Sequence, residues 1–314
     1  MVSVNEKVET GKKMKALVTG GAGFVGTNLI KRLLKDGHEV VSVDNYSTGK
    51  KESHQEGCLY HDYDLSSQHT LGIYVDHGSY PSWREVEYDV IYHMAALARI
   101  QPSLENPHKT LFNNFVSTLN ILEYARKNNI KVVYAGSSSV HHGLYESPYA
   151  WSKFSGEDLC KLYSNVYNTD TAICRFYNVY GSHQIEDGTY STLMGIFERQ
   201  YRNDEPLTIT GDGEQRRDFT HVDDIVDGIV RASQEYFKEC EIFELGRGIN
   251  FSINKIADMF GKDYSKEYIE QRPGEYDITL ADYSHAQELL NWKPKRNIED
   301  YIQAFVETER FLNE

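Results

Sequence analysis

A glycine-rich turn near the amino terminus, TGGAGFVG at residues 19–26, restricts the possible folds more than any other segment. It follows a short apolar run, and apolar residues then recur at helical spacing up to Leu34, before a second apolar run at 40–43. This order predicts a strand, a tight turn, a helix and another strand. The same alternation continues through DVIYHMA, a helical stretch at 111–125, VVYAGS, a helix at 148–166 and TAICRF. It predicts an α/β fold in which helices cover both faces of a doubly wound parallel sheet.

The alternation becomes irregular after Gly181, where short strands near 207 and 218 lie among helices. Such a tail predicts a smaller mixed α/β domain toward the C-terminus, laid over one edge of the sheet. The predicted division is a disordered extension at 1–13, a sheet domain at 14–180 plus about 218–247, and a smaller substrate domain at 181–217 plus 248–314.

The composition argues against several classes of protein. The formal net charge of −14 speaks against a nucleic-acid partner, because phosphate backbones require a basic surface. No apolar run approaches the ~20 residues that cross a bilayer, so no membrane partner is expected. The four cysteines are scattered without a CxxC, and the histidines include no HExxH motif. We therefore expect no metal and a reducing, cytoplasmic location.

Three glycines of the turn, Gly20, Gly23 and Gly26, lie between the predicted strand and helix. Small residues there let backbone N–H groups and the positive end of the helix approach a pyrophosphate. Asp44 ends the next strand, where a carboxylate accepts hydrogen bonds from ribose hydroxyls and repels a 2′-phosphate. The pattern predicts a Rossmann-type dinucleotide site that prefers NAD, while Lys50 and Lys51 keep NADP open as an alternative.

A tyrosine and a lysine four residues apart in YAWSK, Tyr149 and Lys153, share one face of the predicted helix. An ammonium beside a phenol, together with an oxidised nicotinamide, favours the phenolate, which can then accept a proton from an alcohol. Ser137 begins the serine run that follows VVYAG, and it should emerge at the carboxyl edge of the sheet. The three residues together predict oxidation of an alcohol with hydride transfer to the nicotinamide.

Ten motifs occur in the order found in a known family. The chain resembles the extended short-chain dehydrogenase/reductases, and within them the NAD-dependent nucleotide-sugar epimerase branch that includes UDP-glucose 4-epimerase. The resemblance covers nearly the whole chain from Met14 onward. The motifs are TGGAGFVG, DNYSTGK, HMAALA, NNFVSTLNILEYAR, SSSV, YAWSK, RFYNVYG, GDGEQRRDFTHVDDI, FELGRG and RPGEYDITLAD.

The resemblance implies a role for individual residues. The implied catalytic residues are Ser137, Tyr149 and Lys153. The implied cofactor-binding residues are Gly20, Gly23, Phe24, Val25, Gly26, Asp44, Asn45, Ser47, Thr48, Gly49, Asp64, Leu65, Met94, Ala95, Ala96, Ala98, Asn114, Tyr149, Lys153 and Phe176. The implied substrate-binding residues are Ser137, Asn178, Leu193, Thr208, Arg217, Arg272, Glu275 and Thr279, with the two arginines on the diphosphate.

The chain departs from the family pattern in the loop before the tyrosine. Ser137 and Tyr149 are only twelve positions apart, so part of the pocket rim is missing, and His141-His142 replace the usual tyrosine and glycine. Thr210 stands where many relatives carry an aromatic residue beside the base, so uracil is favoured by frequency alone. A small residue at Thr279 should tolerate an N-acetyl group on the sugar.

The resemblance implies a nucleotide-sugar 4-epimerase that acts through a transient 4-keto sugar with Tyr149 as base. Its substrates would be UDP-glucose and UDP-galactose or their N-acetyl forms. Ser138 and Ser139 occupy the places of the Asp-Glu pair that a sugar dehydratase needs. A decarboxylase, a reductase or a non-catalytic NAD sensor remain as alternatives.

The helices expected near 103–127 and 148–166 bear on assembly. Their apolar residues are expected mostly to face the sheet: Phe112, Phe115, Leu119, Leu122, Phe154, Leu159, Leu162 and Val166. By resemblance, the outer faces of the same helices pair across a homodimer as a four-helix bundle.

Overall fold

The computed structural model describes residues 13–67 and 82–313. Its strands are Lys15–Thr19 (β1), Glu39–Asp44 (β2), Cys58–Asp62 (β3), Val90–His93 (β4), Lys131–Ser137 (β5), Thr171–Phe176 (β6), Val179–Tyr180 (β7), Leu207–Thr210 (β8), Arg216–Asp218 (β9), Thr220–His221 (β10), Glu241–Leu245 (β11), Asn250–Ser252 (β12) and Lys266–Ile269 (β13). Its α-helices are Phe24–Lys35 (α1), Ile100–Glu105 (α2), Pro107–Asn128 (α3), Pro148–Tyr167 (α4), Leu193–Arg202 (α5), Val222–Gln234 (α6), Ile253–Phe260 (α7), Ser284–Leu290 (α8) and Ile298–Asn313 (α9). The predicted extension at 1–13 lies outside the described residues except for Lys13.

Seven of these strands form one parallel sheet in the order β11-β6-β5-β4-β1-β2-β3. The predicted doubly wound parallel sheet is thus confirmed. The chain moves outward from β1 through β2 to β3 and then returns to build β4 on the other side of β1. In such a sheet a crevice opens at the carboxyl ends of the strands where the direction reverses, which here is between β1 and β4.

Apolar cores lie on both faces of the sheet, and a third core lies in the C-terminal part. On one face α1 and α6 pack with residues such as Leu29 and Ile229. On the other face α3 and α4 pack with residues such as Ile121 and Cys160. The third core joins α5, β8, α7 and α9 and includes Phe197 and Phe260. The proposed division of the chain into two domains stays a prediction.

The helix expected near 103–127 is interrupted at Asn106. The side chain of Asn106 accepts a hydrogen bond from the Lys109 N–H at 3.1 Å and caps α3, which begins at Pro107. Proline has no N–H to donate and disfavours helical backbone in the residue before it. The chain therefore ends α2 at Glu105 and starts a new helix.

The prediction that most of the apolar residues of these helices face the sheet is wrong. Of the eight, Leu122 is buried in the core on this face of the sheet, and Leu119 and Leu159 are partly buried against it. Phe112, Leu162 and Val166 are 42%, 50% and 57% exposed. The buried positions of α3 and α4 are mainly polar, and they include Asn114, Thr118, Ser152, Lys153 and Glu157. Hydrophobic periodicity locates an apolar stripe but does not say what that stripe faces.

Within the described ranges, no helix is both long and apolar enough to cross a membrane. The same part of the chain contains no group of three or more His, Cys, Asp or Glu side chains arranged to hold a metal ion.

Candidate active site

A cleft of about 1090 Å³ runs along the carboxyl edge of the sheet and continues under the C-terminal part of the chain. Its walls come from the segments that follow β1, β2, β3, β4 and β5, together with α5, β8 and the stretch at 272–279. It is lined by every residue expected to take part in catalysis, cofactor binding or substrate binding, with the exception of Gly49.

The glycine turn brings the backbone of the chain unusually close together. Gly20 has a left-handed φ of +68°, and a Cβ there would lie 2.8 Å from backbone atoms of Ala95. Gly23 N–H donates to Gly20 O at 3.1 Å, and α1 begins at the next residue without a side-chain cap. Uncapped N–H groups and the helix dipole favour an anion at this point, so the turn fits a pyrophosphate.

The Gly26→Ala variant should lose most of its dinucleotide affinity. A Cβ at Gly26 would lie 2.2 Å from Gly20 O and 2.7 Å from Gly21 Cα, and backbone atoms cannot move aside as a flexible side chain can. Overpacking of this kind costs about 1–3 kcal/mol, or about 5- to 100-fold in affinity when it falls on the binding turn. Calorimetric titration with NAD measures the loss.

Gly37→Ala is the matched control for this change, because no atom lies within 4 Å of its Cβ position and only its φ of +86° is unfavourable for alanine. Its affinity for NAD should match that of the unmodified protein. Equal affinities for the Gly26→Ala and Gly37→Ala variants would contradict a role of the turn in binding.

Asp44 is held in a fixed orientation at the end of β2. Its carboxylate accepts hydrogen bonds from the Ala22 N–H at 2.9 Å and the Tyr46 N–H at 2.8 Å. Burial raises the pKa of this carboxyl, and the two backbone hydrogen bonds oppose that effect. Asp44 lines the cleft, and a carboxylate has lone pairs left to accept hydrogen bonds from the two hydroxyls of a ribose. Gly49 lies behind this site, packed against the backbone of Ala22.

The two lysines that kept NADP open as an alternative do not line the cleft. Nζ of Lys51 lies 5.2 Å from the ring centre of Tyr46 instead. Of these three residues, only the carboxylate of Asp44 lines the cleft, which fits NAD.

Asn114 is occupied by contacts within the chain. Its Oδ1 accepts from the Leu97 N–H at 2.8 Å, and its Nδ2 donates to Leu97 O and to Ser152 Oγ. It therefore joins α3 and α4 to the segment after β4, which contains Met94, Ala95, Ala96 and Ala98.

Ser137, Tyr149 and Lys153 all line the cleft, with the serine at the end of β5 and the other two residues on α4. Ser137 ends β5 and accepts a hydrogen bond from the Ser139 N–H at 3.2 Å. Tyr149 lies in the first turn of α4, which Ser147 caps through the Ala150 N–H at 3.0 Å. Lys153 lies one helical turn after Tyr149, and its Nζ donates to Ala135 O at 2.6 Å. The Ser137 hydroxyl also acts on the phenol of Tyr149 and lowers its pKa.

The pKa of Tyr149 is raised above its ordinary value in this structure, whereas a neighbouring ammonium was expected to lower it. Burial raises the pKa of Tyr149, while the hydrogen bond with Ser137 and the charge of Arg99 oppose that rise. Burial lowers the pKa of Lys153 to about 8, and the carboxylate of Glu157 opposes this shift. The positive charge of a bound oxidised nicotinamide would lower the pKa of Tyr149 and favour the phenolate.

Arg99 was absent from the residues expected at the site. It lines the cleft, and its charge acts on Tyr149. The sequence contained a signal for it, since a basic residue directly follows HMAALA at the carboxyl end of β4. Parallel strands bring their carboxyl ends to one edge, where ligands bind.

The residues expected to bind substrate line the far half of the cleft. Asn178 donates from Nδ2 to Thr279 Oγ1 at 3.2 Å and to Asp218 O at 3.1 Å, which joins the segment after β6 to the C-terminal part. Arg217 donates to the carbonyl oxygen of Arg216 at 3.0 Å, and burial lowers the pKa of its guanidinium. The same half of the cleft is lined by Leu193, Thr208, Thr210, Arg272 and Glu275.

Neither His141 nor His142 lines this cleft. His141 Nε2 lies 2.7 Å from Oε1 of Glu244, and His142 packs against Tyr276 at 5.5 Å between ring centres. The histidines thus fix the shortened loop to β11 and to the segment at 276. They occupy a smaller hollow beside the cleft, which shares Glu275 and Tyr276 with it.

Comparison with known proteins agrees with this geometry. Residues 16–246 match the model of the NAD dependent epimerase/dehydratase family. A putative UDP-glucose 4-epimerase from Methanocaldococcus jannaschii is 31% identical, with 92% of this chain and 96% of that protein covered. A UDP-glucuronate 4-epimerase from Thermodesulfobacterium geofontis is 32% identical, with 92% and 94% covered. The crystal structure of UDP-glucose 4-epimerase from Thermotoga maritima with UDP-glucose matches with a TM-score of 0.84, at 27% identity over 96% of this chain and 100% of that one.

Proposed function

This chain belongs to the NAD dependent epimerase/dehydratase family, and from that membership we propose that it is a nucleotide-sugar 4-epimerase. The observation that carries the proposal is the convergence of Ser137, Tyr149 and Lys153 beside the glycine turn, with Asn178, Arg217 and Arg272 in the same cleft. The cofactor is NAD, as the family description states. The relatives named above act on UDP-sugars, which makes a UDP-sugar the favoured substrate.

The three proposed catalytic residues have separate tasks in this reaction. Tyr149 accepts the proton of the C4 hydroxyl and returns it in the second half of the cycle, and Ser137 holds the C4 oxygen through a hydrogen bond. Lys153, anchored on Ala135 O, places positive charge on the same face of α4 as the phenol. The glycine turn and Asp44 would hold NAD, which would supply an acceptor for the hydride of C4 and a donor for its return to the opposite face of the sugar.

The arginines of the far half of the cleft suit the diphosphate. Guanidinium groups fork onto phosphate oxygens, and in an acidic protein such local donors are needed to hold an anionic ligand. Arg217 and Arg272 line the cleft together, and burial of Arg217 strengthens its attraction for a phosphate by excluding water. Thr279 is small and buried beside Asn178, which is compatible with a bulky substituent on the sugar.

Ser138 and Ser139 support epimerisation over dehydration. Both line the cleft next to Ser137, where a dehydratase of this kind would carry an acid and a base for the loss of water. Hydroxyl groups with ordinary pKa values perform neither task at neutral pH. The 4-keto sugar would therefore keep all its substituents until the hydride returns.

The test of the proposal is to incubate the purified protein, without added cofactor, with UDP-galactose, UDP-glucose and their N-acetyl forms. NMR should show one sugar converting to its C4 epimer, with no net reduction of NAD. A new C6 methyl signal together with reduced cofactor would indicate dehydratase chemistry instead. A normal NAD content without conversion of any nucleotide sugar would favour a non-catalytic sensor.

We also propose that the protein is a homodimer through a four-helix bundle of α3 and α4 from each copy. The outer faces of these helices expose large apolar side chains, among them Phe112, Trp151, Leu162 and Val166. An apolar face of this extent is typical of an interface. Sedimentation at micromolar concentration should give the mass of two chains, and the Leu162→Glu variant should give the mass of one. A single-chain mass for the unmodified protein would reject the dimer.

A further inference from the structure

Arg99 brings a positive charge into the cleft, and the chain holds this side chain in place with carbonyl oxygens alone. Its Nε donates to the carbonyl oxygens of Tyr190 and Ser191, both at 3.1 Å, and its Nη1 donates to Ala98 O at 3.2 Å. No described residue accepts a hydrogen bond from Nη2. The side chain is therefore positioned, and one edge of the guanidinium is left for a ligand.

The charge of Arg99 has no carboxylate partner among the described residues, in a protein with 47 acidic residues. Burial lowers its pKa, and the one charged group that acts against this shift is the phenolate form of Tyr149. Another arginine of the cleft, Arg199, has an ion pair with Asp187 at 2.5 Å. Removing a guanidinium from water costs several kcal/mol unless an anion compensates. The missing anion is best supplied by the ligand.

The helix that follows Arg99 contacts the residue proposed as the base. It is the residue immediately before α2, and Ser103 of α2 accepts a hydrogen bond from the Tyr149 N–H at 3.2 Å. A sugar whose C4 hydroxyl reaches Tyr149 carries its C6 group on the adjacent carbon, C5. Both Arg99 and Tyr149 line the cleft, and their charges interact, so the two side chains are suited to neighbouring substituents of one sugar ring.

We infer that Arg99 binds a carboxylate at C6 of the sugar, so that the substrates are a pair of nucleotide-linked uronic acids. The inference rests on the proposed C4 epimerisation and names its substrate class. A guanidinium binds a carboxylate with two parallel N–H···O hydrogen bonds, whereas a C6 hydroxymethyl group leaves the charge uncompensated. A neutral side chain could donate hydrogen bonds to the same carbonyl oxygens. Recognition of a carboxylate explains why this position carries a charged arginine instead.

The experiment compares UDP-glucuronate and UDP-glucose as substrates of the unmodified protein and of the Arg99→Gln and Arg99→Lys variants. The unmodified protein should prefer the uronate in kcat/KM. Arg99→Gln should lose about 100-fold on the uronate, because a buried charge pair loses one partner, and less than about tenfold on UDP-glucose. Arg99→Lys keeps the charge without the fork and should fall between the two. Calorimetric binding of both nucleotide sugars to the same proteins gives a second readout, and Arg32→Gln on α1 is the control.

Equal losses on both substrates in Arg99→Gln, or preference of the unmodified protein for UDP-glucose, would overturn the assignment of a uronate. Production of a nucleotide-linked pentose and CO2 would overturn the epimerase proposal and support the uronate. In that reaction the C5–C6 bond breaks and its electron pair passes into the enolate of the 4-ketone. If no nucleotide sugar reacts, the proposed function fails, and selective loss of uronate binding in Arg99→Gln still decides the role of this residue.

Discussion

Replacement of Tyr149 by phenylalanine should lower kcat by about 10²–10⁴-fold, the range that general acid–base groups supply. The phenol is the group that must accept the C4 proton, and Tyr149 lines the cleft beside Ser137. Phenylalanine keeps the ring and its packing in the first turn of α4, so the variant should fold and hold NAD as before. Turnover of UDP-linked sugars by NMR and the NAD content of the purified protein measure the two quantities.

The control for this experiment is Tyr145→Phe, which removes a phenolic hydroxyl from the loop that precedes α4. Tyr145 is 86% exposed and does not line the cleft. Its kcat should match that of the unmodified protein. Undiminished turnover by the Tyr149→Phe variant would remove the chemical basis of the proposed reaction, whatever the substrate.

Replacement of Arg175 by methionine should destabilise the protein by about 3–5 kcal/mol, the cost of leaving a buried charge without its partner. Arg175 lies in β6 and donates to both carboxylate oxygens of Glu157, with Nη2 to Oε2 at 2.6 Å. Its Nη1 donates to Glu244 at 2.9 Å. Glu157 is fully buried in α4, four positions beyond Lys153, so methionine would leave two carboxylates facing an apolar side chain. The urea midpoint of unfolding measures the change.

The matched control for this second change is Arg296→Met. Arg296 pairs with Asp223 at 2.8 Å, but the two side chains are 56% and 50% exposed. Exposed ion pairs contribute about 0–1 kcal/mol, so the midpoint should shift little. Similar shifts for the Arg175→Met and Arg296→Met variants would show that the buried network does not hold α4 against the sheet.

This network also explains how the shortened loop keeps its place. Glu244 of β11 accepts from Arg175, lies within hydrogen-bond distance of His141, and accepts from the hydroxyl of Tyr177. The short loop is thereby tied to two strands of the sheet and, through Glu157, to the helix that carries Tyr149. Loss of Arg175 should for this reason reduce activity as well as stability.

The parts of the site that could be predicted are those encoded within a few residues. The glycine turn, Asp44 at the end of β2, and Tyr149 with Lys153 one turn apart all follow from local sterics and helical spacing. Ser137 was predictable because it directly follows a buried strand, and such residues emerge at the ligand-binding edge. The cleft contains all four features.

The orientation of the long helices could not be predicted in the same way. The polar side chains of α3 and α4 point inward because Asn114 of α3 donates a hydrogen bond to Ser152 of α4. Lys153 of α4 in turn donates to the carbonyl oxygen of Ala135 in β5. A pattern of apolar residues suggested the opposite, since it carries no information on which surface another chain or the sheet will cover.

The amino-acid pattern alone thus specified a parallel α/β sheet, a dinucleotide turn and a tyrosine–lysine pair, because each depends on backbone geometry over at most one turn or strand. Folding in three dimensions was required to place Arg99 near Tyr149 with no acidic partner among the described residues, and to join His141 to Glu244, 103 positions away in the chain. Such contacts depend on how distant elements pack, and the electrostatic energy of a charge is set by what surrounds it after packing.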